Sequence, residues 1–255
     1  MLVPWGNGHP LPLLTYHSID DCRSVLSTSP GTFRQQLQFL ASHCFHNIRL
    51  SEVVQLLRDR LPLPPRRVCL TFDDGYQTVY SEAFPLLQEY GFTATVFLVA
   101  RYCGRENDWP GNLEYLDRTQ LLSWDHVKEM SNFGIDFGAH TLTHPDLTCI
   151  APRLAEQEIL QSKQEIEDKT GQPLTLFAYP YGRYNSHIRE VVRGQFLGAC
   201  TTRLGNVRSC ADPYRLRRID SWFLLNVRLF SRLTTRSLAC YLQARQAIRE
   251  LKALL

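Results

Sequence analysis

Residues 68–75, Val68-Cys69-Leu70-Thr71-Phe72-Asp73-Asp74-Gly75, take a short apolar run directly into two adjacent carboxylates and a glycine. Such a run reads as a strand, and the glycine marks the turn out of it. Outward from it, Leu13-Leu14-Thr15-Tyr16 comes before, and similar runs follow at 93–99, 135–139, 174–179 and 197–202. Helix-like stretches lie between them: Phe33, Leu37, Phe39 and Leu40 after Pro30, then Val53, Leu56 and Leu57, then 80–90, 120–132, 153–170 and 186–193. Gly91, Gly134 and Gly171 stand where three of these helices should stop, which suits a left-handed cap. This alternation predicts a mainly parallel sheet with helices outside it. About seven strands in 255 residues predict an α/β fold, a single distorted (β/α) barrel.

Two segments break the rhythm. Residues 101–118 form a polar and aromatic stretch after a strand, where barrels place substrate loops, and make either a candidate lid or a long surface loop. Residues 226–255 read as a basic helical extension of one or two helices, with Val227, Phe230, Leu233, Leu238, Tyr241, Leu242, Ile248 and Leu251 opposing many arginines. No repeat or Gly/Ser linker divides the chain, so 1–255 reads as one domain.

Hydrophobic residues make up 44% and charged residues 21%, which excludes a disordered or fibrous chain. No apolar run approaches the ~18 residues of a membrane span. Residues 1–12 hold three prolines and no Lys or Arg, unlike a secretory signal, so a cytoplasmic address is expected. The eight cysteines include no Cys-x-x-Cys pair and are expected to be reduced, mostly buried thiols. The net charge of +3 hides an asymmetry. From residue 183 on, thirteen arginines and one lysine face only Glu190, Asp212, Asp220 and Glu250, a balance of +10, which leaves −7 for residues 1–182. Such a basic third suits phosphate, an acidic glycan or a membrane surface, or simply solvated helix faces. No combination of basic and aromatic residues suggests nucleic acid.

Two carboxylates at a strand exit face the mouth of a barrel, although an Asp-Asp-Gly alone equally reads as a helix cap. A second strand exit carries His140-Thr141-Leu142-Thr143-His144, and histidines four apart have metal-chelate spacing. Together the two features supply two histidines and a carboxylate with coordination positions left open.

Here the chain resembles the polysaccharide deacetylases, the NodB-like group of carbohydrate esterase family 4. Thr71–Gly75 matches the first motif, Thr-Phe-Asp-Asp-Gly, and 140–144 matches the second, His-Ser/Thr-x-x-His. Phe177-Ala178-Tyr179-Pro180-Tyr181-Gly182 resembles the third, with its Pro-Tyr-Gly core. Tyr16-His17-Ser18-Ile19 and residues 33–40 resemble the poly-β-1,6-N-acetylglucosamine deacetylase branch, and the likeness covers about 12–221. The resemblance implies a single catalytic domain that removes N-acetyl groups from an amino sugar or glycan. It implies a divalent metal, most often zinc, held by Asp74, His140 and His144, with Asp73 as general base. It places the Tyr181 N–H, after Pro180, on the tetrahedral oxyanion.

The chain departs from the pattern at two places. Ala178 stands where many members have an arginine that orients the base, and Arg218 or Asp220 could supply that pairing instead. No Leu-x-His motif follows near the C-terminus, so the branch resemblance makes His17 the candidate general acid. Trp109, Tyr115 and Trp222 are candidates to stack on sugar rings, or local packing anchors. Rival readings are a metal-dependent hydrolase of a cyclic imide or small amide on the same scaffold, and a catalytically silent sugar-binding module. A cytoplasmic address would point to a lipid-linked or nucleotide-linked precursor as substrate. The basic extension would then contact anionic membrane.

Overall fold

The computed structural model describes residues 9–112 and 118–252. Seven parallel strands close a barrel: β1 (Leu13–Tyr16), β2 (Arg67–Phe72), β3 (Thr95–Leu98), β4 (Asp136–Ala139), β5 (Leu176–Ala178), β6 (Gly198–Leu204) and β7 (Leu216–Asp220). They follow one another around the ring in chain order, and β1 pairs with both β2 and β7 to close it. Parallel strands need crossovers, which are mostly helices here: α1 (Pro30–Ser42), α2 (Leu50–Arg58), α3 (Phe84–Tyr90), α4 (Trp124–Asn132), α5 (Pro152–Thr170) and α6 (Ser186–Gln195). A C-terminal pair, α7 (Val227–Phe230) and α8 (Arg236–Lys252), completes the chain. Among the described residues no helix is long and apolar enough to cross a membrane.

The strands read as unbroken apolar runs because both faces are covered. Leu13, Cys69, Phe97, Leu176, Cys200 and Leu216 point inward and form one cluster; Leu14, Val68, Leu70, Val96, Phe177 and Ile219 point outward into a second, beneath the helices. α2 does not join the outer ring. Its Leu50, Val53, Val54 and Leu57 belong to the inner cluster, so the helix plugs the base of the barrel. Gly198 is glycine for this reason: a Cβ there would lie 2.5 Å from Val54. The inward columns continue past the strand ends as residues 17 on β1, 73 on β2 and 140 on β4, two positions beyond the last inward strand residue. The sequence therefore hands three polar residues to one mouth.

Several expectations change. The strand β7 lies in Leu216-Arg217-Arg218-Ile219-Asp220, whose charges conceal it. The helix expected over 120–132 begins at Trp124, because Ser123 caps it while Leu121 bridges to Tyr76. The thiols are all reduced, but they are not mostly buried: Cys22, Cys44, Cys149, Cys210 and Cys240 are exposed, and only Cys69 and Cys200 are fully inside. Of the extension's apolar stripe, Phe230, Leu233, Leu238 and Leu242 are buried, whereas Val227, Ile248 and Leu251 face solvent.

Candidate active site

Asp73 leaves β2 on the inward side and meets Arg218, which β7 sends into the barrel interior. Arg218 binds it with both arms of its guanidinium, Nη1 to Oδ1 and Nη2 to Oδ2, each at 2.6 Å. Arg218 is 2% exposed; its Nε donates to Thr201 O at 3.0 Å and its Nη1 reaches Thr71 Oγ1 at 3.4 Å. Burial pushes the Asp73 carboxyl up, but the guanidinium outweighs it and holds the group well below the usual carboxylate range. The two-armed pairing also fixes the carboxylate plane.

Asp74, in the left-handed region at φ 69°, turns the other way. Its Oδ1 lies 3.5 Å from His140 Nε2 and 3.4 Å from His144 Nε2, and the two ring nitrogens are 3.2 Å apart. The point equidistant from these three atoms is about 1.9 Å from each, close to the ~2.0–2.1 Å of zinc–nitrogen and zinc–oxygen bonds. His140 Nδ1 donates to Ala178 O at 2.7 Å, which leaves a lone pair on Nε2. Burial, reinforced by His140, holds the His144 pKa well below its ordinary value, which favours a neutral His144 ring. Burial raises the Asp74 carboxyl, and Asp73 adds to the rise. Lone pairs and a carboxylate oxygen crowded this closely repel unless a cation lies among them. The donor set, two nitrogens and one oxygen, fits a divalent metal with positions left for water and substrate.

The loop between the histidines is strained, with Thr141 at φ 66° and His144 at φ 61°. Glu158 of α5 holds it. Its Oε2 accepts from Leu142 N at 3.0 Å and Thr143 N at 2.8 Å, and its Oε1 accepts from Thr143 Oγ1 at 2.7 Å. Sequence reasoning missed Glu158, which nothing local distinguishes from the other acids of α5.

The remaining candidates fall into two groups. His17 follows β1 and lies close enough to Asp73 and Asp74 to count among the influences that lower both carboxyls. Pro180 is buried and opens a turn in which Tyr181 takes φ 57° and sets its ring 4.9 Å from His144. The turn's own hydrogen bonds run from Gly182 N to Tyr179 O and from Arg183 N to Pro180 O, and neither uses the Tyr181 N–H. Of the two candidates for the arginine pairing, the structure brings Arg218 to Asp73 and does not bring Asp220, whose carboxylate accepts from Trp222 N and caps the following turn. Trp109 is 3% exposed, 4.8 Å from the His144 ring, and so packs behind the ligand instead of offering a face to a sugar. Trp222 is 41% exposed, and Tyr115 lies outside the described residues. Among the described residues, four of the eight non-glycine residues with positive φ, Asp74, Thr141, His144 and Tyr181, belong to this one site. Such concentration is the usual mark of a functional centre.

The polysaccharide deacetylase family model matches residues 60–195, which include Asp73, Asp74, His140, His144 and Tyr181. A poly-β-1,6-N-acetyl-D-glucosamine N-deacetylase of Staphylococcus epidermidis is 29% identical over 206 residues, 76% of this chain and 67% of its own. Among solved structures, IcaB from Ammonifex degensii superposes with a TM-score of 0.75 at 27% identity, covering 88% of this chain and 97% of its own. The Streptococcus pyogenes deacetylase PplD, in complex with acetate, gives 0.73 at 27% identity over 84% and 92%. With the family model spanning more than half its length and the motif residues gathered at one barrel mouth, the chain belongs to the polysaccharide deacetylase family.

Proposed function

We propose that the protein is a metal-dependent hydrolase that removes N-acetyl groups from an N-acetylated amino sugar or glycan and releases acetate. The observation that carries this reading is the triangle of Asp74, His140 and His144 beside an Asp73 held ionised by Arg218. A divalent ion on that triangle, zinc by the donor set, supplies Lewis acidity toward water and the acetamide carbonyl. Asp73 takes the proton of the attacking water, and Arg218 keeps the carboxylate aimed at it. The Tyr181 N–H, presented by the strained turn, donates to the carbonyl oxygen as negative charge develops there; donors of this kind contribute ~3–4 kcal/mol in other hydrolases. As the C–N bond breaks, His17 protonates the departing amine, so acetate and a free amine leave. The acetate held by the Streptococcus protein and the N-acetylglucosamine polymer in the Staphylococcus enzyme's name support an acetylated amino sugar as substrate.

The test is acetate release from N-acetylglucosamine oligomers by metal-stripped protein, with and without added zinc or cobalt, beside Asp73→Asn. Metal-dependent release that the substitution abolishes is expected. Equal release by stripped and reconstituted protein would refute the reading.

A further inference from the structure

No crossover helix joins β6 to β7. Residues 205–215 connect the two strands directly, and α8 lies along β6 instead, with Leu204 N donating to Gln246 Oε1 and Arg249 Nη1 donating to Thr202 O, each at 3.0 Å. A trough remains between the connection, the outer face of β6 and β7, and α8. Its volume is about 950 Å³, and Tyr181 and Gly182 of the active-site turn are part of its lining. That is room for a ligand of several rings; ordinary ligand sites span ~300–1,000 Å³.

The lining is cationic. Arg203 on β6 and Arg217 on β7 sit on the outward face of neighbouring strands, and Arg208 and Arg215 reach in from the connection. Like charges side by side on a sheet destabilise it. Arg217 feels this directly: partial burial, then Arg203 and Arg208, lower its pKa from the ordinary arginine value. Two carboxylates line the trough, and both have partners: Glu250 lies 3.4 Å from Arg203, and Asp212 is 2.5 Å from Arg189. Gly205 sits against the Arg217 side chain, where a Cβ would approach Cδ to 3.3 Å. Arg203, Arg208, Arg215 and Arg217 outnumber the two carboxylates of the lining, a balance that suits a ligand of about two negative charges better than a neutral glycan.

We propose that this trough is a subsite for a phosphoryl group on the sugar substrate. With the acetamide at Asp73 and the metal triangle, a phosphate or diphosphate ester on the same molecule reaches past Tyr181 onto Arg203 and Arg217. The substrate class is thus a phosphorylated N-acetyl amino sugar, soluble or lipid-borne. This assignment rests on the deacetylase reading, and it accounts for part of the excess of positive charge after residue 183.

The test separates binding from turnover. Glucose 1-phosphate, which has no acetamide, is titrated calorimetrically into the metal-loaded enzyme and into an Arg203→Gln/Arg217→Gln double variant, with Arg203→Gln alone as a milder control and thermal unfolding to verify folding. Binding that weakens with salt and falls at least tenfold in the double variant is expected, with no binding of glucose. Acetate release from N-acetylglucosamine 1-phosphate should then exceed that from N-acetylglucosamine at least tenfold in kcat/KM, and the double variant should lose that preference. Phosphate binding without acetate release from any substrate supports the subsite and removes the deacetylase reading. Acetate release from neutral oligomers with no glucose 1-phosphate binding, or with equal binding by the variant, overturns the subsite and leaves that reading intact. Vesicles containing phosphatidylglycerol form the last arm. If they and glucose 1-phosphate both bind and both depend on the two arginines, the source is lipid-borne; if vesicles alone bind, the trough is a membrane contact and the proposal fails.

Discussion

Glu158→Ala isolates what one remote carboxylate does for the metal triangle. The side chain accepts three hydrogen bonds, at 3.0, 2.8 and 2.7 Å, all from Leu142 and Thr143 between the two histidines. Hydrogen bonds to a charged acceptor contribute ~1.5–3 kcal/mol each when dry. Glu158 is only partly buried and water replaces some of them, so a total loss of about 2–3 kcal/mol is expected. For a chain of this size that is about 5–10 °C in Tm. The more specific effect is on geometry. Thr141 and His144 hold left-handed conformations that cost ~1–3 kcal/mol each, and without Glu158 the loop can relax and carry His144 out of line. Zinc affinity should fall about 10–100-fold, as for other residues that orient ligands from behind. Glu158→Gln is the control. A single amide oxygen can still accept from both N–H groups that now share Oε2, and the amide nitrogen can donate to Thr143 Oγ1, so the loss should stay within about threefold. The assay is a zinc competition titration against a chromophoric chelator, beside thermal unfolding. If Glu158→Ala lowers Tm but leaves zinc affinity at the wild-type value, Glu158 merely fastens α5 and the reasoning fails.

Two further outcomes follow from buried or hydrogen-bonded charges. Arg218→Gln should destabilise the protein by ~3–5 kcal/mol in denaturant unfolding, because it leaves Asp73 buried without a counter-charge; Arg218→Lys, which keeps the charge but not the fork, should recover part of that, and wild-type stability in Arg218→Gln would show that the pair contributes little. Burial raises the Glu167 carboxyl, but Leu174 N–H and Lys163 outweigh it and lower its pKa from an ordinary 4.5. Its stabilising effect is therefore complete above pH 4.5 and lost as pH falls toward the depressed folded value, so Glu167→Gln should flatten the decline of stability below pH 4.5, whereas an unchanged slope would remove Glu167 as a cause.

The parts of this molecule that were legible in its sequence are local ones. The exit of β2 and the histidine pair each occupy five consecutive residues, and burial on both faces makes β2 and β3 continuous apolar runs. The strand β7 was harder, since Arg217 points out and Arg218 points in, and a buried arginine reads like an exposed one until its partner is known. That partner is 145 residues away. Glu158 is illegible for the same reason, because its role exists only once α5 lies beside the histidine loop. Helix ends depended on caps, and Ser123, whose hydroxyl accepts from His126 N, delays α4 beyond where periodicity alone starts it.

The departure from the family pattern at position 178 has a geometric explanation. A closed barrel points several columns of side chains at the same interior layer, so the task of fixing Asp73 can pass from one strand to another without moving the site. At β5 the inward residue is Ala178, which contributes only its carbonyl, to His140 Nδ1. Arg218 crosses the barrel interior from β7, its guanidinium 5.8 Å from the Phe97 ring, to reach Asp73. A second long cation at 178 would compete with Arg218 for that interior space and for the same carboxylate. The pairing that looks missing on β5 is thus supplied from β7, the strand whose charges hide it in the sequence.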